Sequence, residues 1–168
     1  MRPFRFGVNV RDAPSRAGWV AILIGGNGRR ILTLAAKEAD MVGLTGITFR
    51  AGGTEPDLSA WKTAAVDERV QLVRAAAGER YDRLELSALV QRVVVTDNPR
   101  QAAEELVSRW TQLSVEEILQ SPYALIGTTD HLVEELWRRR ERWGISYYVI
   151  FEPYMDAFAP VVARLAGR

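Results

Sequence analysis

The 168-residue sequence contains no cysteine, which excludes disulfides, thiolate catalysis and cysteine-ligated metals. Its single histidine, His131, removes most histidine-based metal sites as well, and no metal site is expected. Charge of one sign is lacking too. The 22 basic residues are spread among 21 acidic ones, and the net charge of +1 gives no electrostatic reason to expect a nucleic-acid partner. No apolar run approaches the ~20 residues that cross a bilayer, so no membrane partner is expected. The first ten residues carry two arginines without a signal-peptide core. These absences lead to the expectation of a soluble, cytoplasmic protein.

What is present is an ordinary globular composition, 48% hydrophobic and 26% charged, in a chain long enough for one well-buried domain over residues 1–168. Apolar strand patterns alternate with helical ones, the signature of an α/β fold. Residues 4–10 alternate Phe4, Phe6, Val8 and Val10 with small or polar residues, as a first strand would. Val66, Val70 and Val73 mark one helix face, capped by Gly78. Residues 84–95 read as one long strand, and Asp97-Asn98-Pro99 opens a helix with Ala103, Leu106, Val107 and Trp110 inward. A short helix is expected over residues 115–120 and a strand over 123–127. Thr128, Thr129 and Asp130 are candidate caps for a long helix ending near Trp143 and Gly144. In that helix Glu134 with Arg138 and Glu135 with Arg139 are favourably ordered pairs, so residues 138–142 read as a solvated face. Residues 145–151 form a strand and residues 155–165 a closing helix.

Residues 22–46, ILIGGNGRRILTLAAKEADMVGLTG, read as strand, glycine turn, helix and second strand. Ile22-Leu23-Ile24 suits a buried parallel strand, and Gly25-Gly26-Asn27-Gly28 lets the backbone turn sharply into a helix with Ile31, Leu34, Ala35 and Ala39 on its apolar stripe. Free N–H groups at the helix start, with Arg29 and Arg30 in the first turn, suit a phosphate or other anion. A turn serving only to pack helix on strand fits the same residues. Upstream, residues 11–21 begin a helix after Asp12, Pro14 and Ser15, yet Ile22 follows with no cap or loop between. A parallel crossover needs a dozen or more residues and usually a complete helix, so this junction is anomalous.

The stretches RPFRFGVNV, ILIGGNGRRILTLAAKEADMVGLTG and LIGTTDHLVEELWRRRERWGISYYVIFEPYMDAFAPVVARLAGR resemble the luciferase-like family of flavin- or F420-dependent oxidoreductases. The resemblance implies a shortened (β/α) TIM-barrel-like fold, mostly parallel strands with outer helices, since a full barrel typically takes about 250 residues. The match passes from the first strand straight to one in the second half of the barrel near Ile22, as though roughly strands 2 to 4 were missing. It further implies coenzyme F420, or alternatively FMN, as cofactor, a small organic molecule as substrate, and hydride transfer between them. The family's phosphate grip falls here on Gly25, Gly26, Asn27 and Gly28, with Arg29 beside them. Asn9, near the end of the first strand, suits either facing a cofactor ring or simply being a polar residue at a strand end.

No residue is assigned a catalytic role. His131 follows a helix-start sequence and reads as part of it. Glu152, at the end of the last strand and followed by Pro153 and Tyr154, suits either pocket lining or capping of the next turn, and the cap is preferred because position in the fold does not by itself establish function. Trp110, Trp137 and Trp143 read as helix-packing residues. The alternative to an enzyme is a non-catalytic, cofactor-binding or self-associating remnant of the fold. In either case a homodimer or larger homo-oligomer is expected, each copy covering the open sheet edge of the other.

Overall fold

A computed structural model of the chain describes residues 4–7, 21–49, 53 and 55–168. The glycine-turn segment forms the expected βαβ unit: β2 (Leu23–Gly26), α1 (Arg29–Glu38) and β3 (Met41–Leu44), with β2 and β3 parallel. β1 (Arg5–Gly7) precedes them. After β3 come a two-residue antiparallel pair, β4 (Thr48–Phe49) with β5 (Pro56–Asp57), a turn of 3₁₀ helix at Ser59–Trp61, and α2 (Thr63–Ala77). Then follow β6 (Glu85–Leu89), β7 (Arg92–Val95), α3 (Pro99–Val107), α4 (Val115–Gln120), β8 (Ala124–Gly127), α5 (Thr129–Trp143), β9 (Ile145–Val149) and α6 (Met155–Leu165).

Five strands make one parallel sheet in the order β1-β9-β6-β3-β2. From β2 through β3, β6 and β9 the order follows the chain, and the last strand then pairs with the first. That is how a (β/α) barrel is wound. Among the described residues β1 and β2 stay unpaired with one another, so the described sheet has two edges. Helices cover the other side of the strands, and one core cluster joins Val42, Leu44, Leu86, Ala88 and Tyr148 of the sheet to Leu32, Val66, Val70, Leu132 and Leu136 of the helices. The β1 end is held twice over. Phe4 lies edge-on to Trp137 at 4.8 Å between ring centres, and its N–H donates to the Arg168 carbonyl at 2.8 Å. No described helix is long and apolar enough to cross a membrane.

Helix ends follow local chemistry. Thr128 caps α5 by accepting from the His131 N–H, and Gly144 ends it in the left-handed conformation at φ 75° that glycine alone adopts without strain. Pro99 occupies the first turn of α3, where its missing N–H costs nothing. Ser114 and Glu117 form a reciprocal capping box on α4.

Several expectations are corrected. Ile22-Leu23-Ile24 is not buried on both faces: β2 is the end strand of the described sheet, and Ile22 and Leu23 are 53% and 36% exposed. Residues 84–95 are not one strand: β6 lies between β3 and β9, while β7 leaves the main sheet to pair in parallel with β8. The break falls at Val90 and Gln91, whose N–H groups donate to Val149 and Tyr123 respectively, so the segment forks between two neighbours. Leu34 does not face the core; the buried stripe is Leu32, Ala35, Ala36 and Ala39, and Leu34 stands opposite it. Trp110 lies beyond the end of α3 and packs edge-on against Trp61 at 4.9 Å. Residues 138–142 are not uniformly solvated, because Arg139 and Arg140 are buried. Arg139 pairs with Glu135 and donates to the Ala124 and Leu119 carbonyls, and Arg140 lies over the Phe4 ring and donates to the Arg168 carbonyl. Arg138 takes Glu135 as its partner, at 2.7 Å and three residues away, in place of Glu134. Asn9 and the junction at residues 11–20 lie outside the described residues.

Candidate functional site

Barrel sites gather at strand C-termini, and β2 ends there in the glycine turn. Its three glycines do different things. Gly25 packs against Gly43 of β3, where a Cβ on Gly43 would come within 3.2 Å of the Gly25 Cα. A Cβ on Gly26 would sit 2.6 Å from Cγ2 of Ile31, so Gly26 lets α1 close down on β2. Gly28 faces open space. It is the N-cap of α1, extended at φ −80° and ψ 147°, and no side chain caps the first turn. With no carboxylate in that turn either, the N–H groups of Arg29, Arg30 and Ile31 have no side-chain acceptor, and both arginines are exposed beside them. This donor set is complementary to an anion.

The Asn27 side chain is engaged within the fold. Its Nδ2 donates to the Ile47 carbonyl and to Thr48 Oγ1, each at 3.0 Å, and its Oδ1 accepts from the Gly46 N–H at 3.2 Å. Arg69 of α2 donates through Nε to the Asn27 carbonyl at 3.1 Å. The amide side chain thus clamps the glycine turn to the loop after β3, and Asn27 positions the turn. Of the sequence-derived residues, Gly25, Gly26, Asn27, Gly28 and Arg29 form one continuous turn.

Further along the same end of the sheet, Gln91 donates to the Thr45 and Leu89 carbonyls. Arg92 donates through Nη1 to the Tyr154 hydroxyl at 2.7 Å and lies over the rings of Trp110 and Tyr154, each 5.8 Å from its guanidinium carbon. Its Nε is buried and has no hydrogen-bond partner among the described residues. Phe151 and Met155, after β9, are exposed apolar side chains. Sequence reasoning passed over Arg92, Tyr154 and Arg69. The available signal was Gln91-Arg92 interrupting an otherwise apolar strand.

His131 and Glu152 are exposed at a helix start and in a 3₁₀ turn after β9. His131 also borders a groove of about 500 Å³ between α4 and α5, with Leu119, Glu135, Arg138, Arg142 and Trp143. Its charges are engaged with one another or with α2. Arg142 holds Asp67 through two hydrogen bonds, at 3.1 and 2.7 Å, and Trp143 Nε1 donates to the same carboxylate at 2.7 Å. The Arg142 hydrogen bond, helped by that of Trp143, holds the Asp67 carboxyl below its ordinary pKa against the opposing effect of burial.

No family model matches the chain, and no curated protein does. Solved structures do. A long-chain alkane monooxygenase superposes with a TM-score of 0.53 and 18% identity over 86% of this chain and 40% of its own. The coenzyme F420-dependent tetrahydromethanopterin reductase of Methanopyrus kandleri gives 0.56 and 12%, over 88% of this chain and 50% of its own. A riboflavin lyase, solved with modified FMN and riboflavin, gives 0.54 and 12%, over 86% and 43%. The chain spans half or less of each of these three proteins. At such low identity the likeness concerns architecture: the parallel sheet with its helices has, at a coarse level, the (β/α)-barrel-like fold of the luciferase-like oxidoreductases.

Proposed function

We propose that the chain binds the phosphate-bearing tail of a flavin or deazaflavin and belongs to an F420- or FMN-dependent oxidoreductase of the luciferase-like class, with a small organic molecule as the other reactant. The observation that carries this reading is the uncapped start of α1, where Gly28 opens onto space and no carboxylate competes. Phosphate is common to both cofactors, and the residues present fit it. When bound, the cofactor supplies a ring that takes up or delivers hydride.

The chain's own residues have distinct parts in this reading. The first-turn N–H groups of α1 and the Arg29 and Arg30 guanidiniums bind the phosphate. Asn27, braced by Arg69, holds the turn in one conformation, so that no ordering cost is paid on binding. Phe151 and Met155 offer apolar surface at the ends of the strands, suited to excluding water from a ring.

Titration of the full-length chain with FMN and with F420, followed by absorbance and fluorescence, tests this directly. Binding of one of them, with reduction of a substrate when the reduced cofactor is supplied, is the expected result. Failure to bind either refutes the reading. Binding with no turnover of any offered substrate identifies a non-catalytic binding module.

A further inference from the structure

None of the residues lining the groove between α4 and α5 belongs to the glycine turn, to α1 or to the ends of β3 and β9. Its volume of about 500 Å³ lies within the range of about 300–1,000 Å³ typical of small-molecule sites. One wall is a single face of α5, on which His131, Glu135, Arg138, Arg139 and Arg142 follow at helical spacing. Pro99 and Leu119 supply apolar surface across from it, and Trp143 closes one end.

The wall carries three guanidiniums against one carboxylate among its described lining residues. Glu135 serves two of them: its Oε1 accepts from Arg139 Nε at 3.0 Å, and its Oε2 lies 2.7 Å from Arg138 Nη2. Asp67 of α2 balances Arg142. One guanidinium charge is therefore left unbalanced among the described residues. Hydrogen-bond donors are left over as well. Arg139 is saturated by Glu135 and the Ala124 and Leu119 carbonyls, whereas Arg138 keeps Nε and Nη1, and Arg142 keeps Nη1, without an acceptor among the described residues. Both side chains are open to solvent, at 60% and 51% exposed. They stand four residues apart on the same face, close enough for one anion to touch both. Their positions are already constrained, Arg138 by Glu135 and Arg142 by Asp67 and by the Trp143 ring 5.0 Å beneath it, which lowers the cost of ordering them around a ligand.

We propose that this groove binds a small amphipathic organic carboxylate, with its head group between Arg138 and Arg142 and its apolar body along α5 against Leu119 and Pro99. A single unbalanced charge matches a monoanion, and the two oxygens of a carboxylate match the two sets of free N–H groups. A dianion would bring more negative charge than the wall leaves unbalanced, and a neutral molecule would leave both arginines without their acceptor. From Arg138 back to His131 the helix rises about 10 Å, enough for a body of roughly six carbons. The site is separate from the phosphate-binding turn and does not depend on it.

His131 is the single histidine of the chain and borders the groove, so its imidazole C–H resonances report occupancy directly by NMR. Titration of the full chain with hexanoate, at constant pH and ionic strength, should move those resonances saturably with a Kd of about 1 mM or below. Acetate has the head without the body and 1-hexanol the body without the head, and each should bind at least about tenfold more weakly. Arg138→Gln should weaken hexanoate about tenfold, whereas Lys37→Gln, an exposed cation on α1, should leave it unchanged. Both side chains are exposed, so circular dichroism should match the parent and separate lost binding from lost fold. No saturable His131 shift up to about 20 mM hexanoate overturns the proposal. Equal affinity for hexanoate and either control compound overturns it too, as does an Arg138→Gln protein that binds like the parent. Neither cofactor nor turnover enters the readout, so its failure is distinct from failure of the phosphate-binding reading.

Discussion

Gly28→Asp separates binding from folding at one position. The backbone there is already extended, and a Cβ meets no atom within 4 Å, so the new side chain enters without strain. Aspartate is a strong N-cap, better than glycine by a few tenths of a kcal/mol, and its charge adds about 0.3–1 kcal/mol at the positive end of the helix. Those gains should raise the melting temperature by about 1–4 °C in a domain of this size. A phosphate would experience the opposite effect. The aspartate takes up one or two first-turn N–H groups, each worth about 1.5–3 kcal/mol to an anion. It also sets a negative charge about 4 Å from the phosphate, a repulsion of about 4 kcal/mol at the dielectric of a protein surface. Allowing for solvent screening, a net loss of about 3 kcal/mol corresponds to a rise in Kd of a hundredfold or more for FMN or F420. Fluorescence titration and a thermal melt on the same samples read both quantities. Gly28→Ser, a cap without charge, should lose much less affinity. A Gly28→Asp protein that melts higher yet binds the cofactor within about threefold of the parent would show that the helix start does not hold the phosphate.

The remaining predictions concern the scaffold. Arg139→Ala should lower stability in urea by about 2–4 kcal/mol, because it leaves the Ala124 and Leu119 carbonyls without their donor, whereas Arg138→Ala should cost less than about 0.5 kcal/mol. Equal effects of the two would refute the burial argument. Gly46→Ala should cost about 2–3 kcal/mol, since Gly46 has φ 74° and a Cβ there would lie 2.7 Å from the Tyr123 ring. A neutral outcome would mean that the loop after β3 sits elsewhere. Asp67, whose pKa is lowered in the folded state, contributes stability that is present above its unfolded pKa and is lost as pH falls through the folded value. The melting temperature should therefore fall on acidification below about pH 4, and Asp67→Asn should flatten part of that fall. Trp143 fluorescence should change over the same range, because its indole donates to the carboxylate being protonated.

Periodicity in the sequence found the helices and most strands of the main sheet but neither the fork of residues 84–95 nor the β4–β5 pair, and glycine chemistry found the turn at residues 25–28. Both are local signals. Leu34 was misplaced because helical spacing identifies a stripe without showing how wide it is; alanines at 35, 36 and 39 carry the contact that a leucine at 34 seemed needed for. The burial of Arg139 was illegible for a different reason. A run of arginines with glutamates four residues before them describes a surface helix well, and only the distant carbonyls of Leu119 and Ala124 reveal that one arginine turns inward. Asn27 shows the limit at the site itself. Its place among three glycines suggested a ligand contact; that its side chain also bonds to residues 46, 47 and 48 could be known only once β3 lay beside β2.

The pairing of β1 with β9 also sets an order of events in synthesis. Arg5 finds its register partner at Tyr147, 142 residues later. At about 5–20 residues per second, the first strand waits roughly 7–28 s for the strand that covers it. During that interval the βαβ unit at residues 22–44 can already form from neighbouring contacts, while Phe4 and Phe6 remain without the helices that bury them. β1 is therefore open to aggregation or chaperone capture throughout that interval, and its exposure ends only once β9 and then α6 have followed, because Phe6 packs on Phe158 and the Phe4 N–H donates to the Arg168 carbonyl.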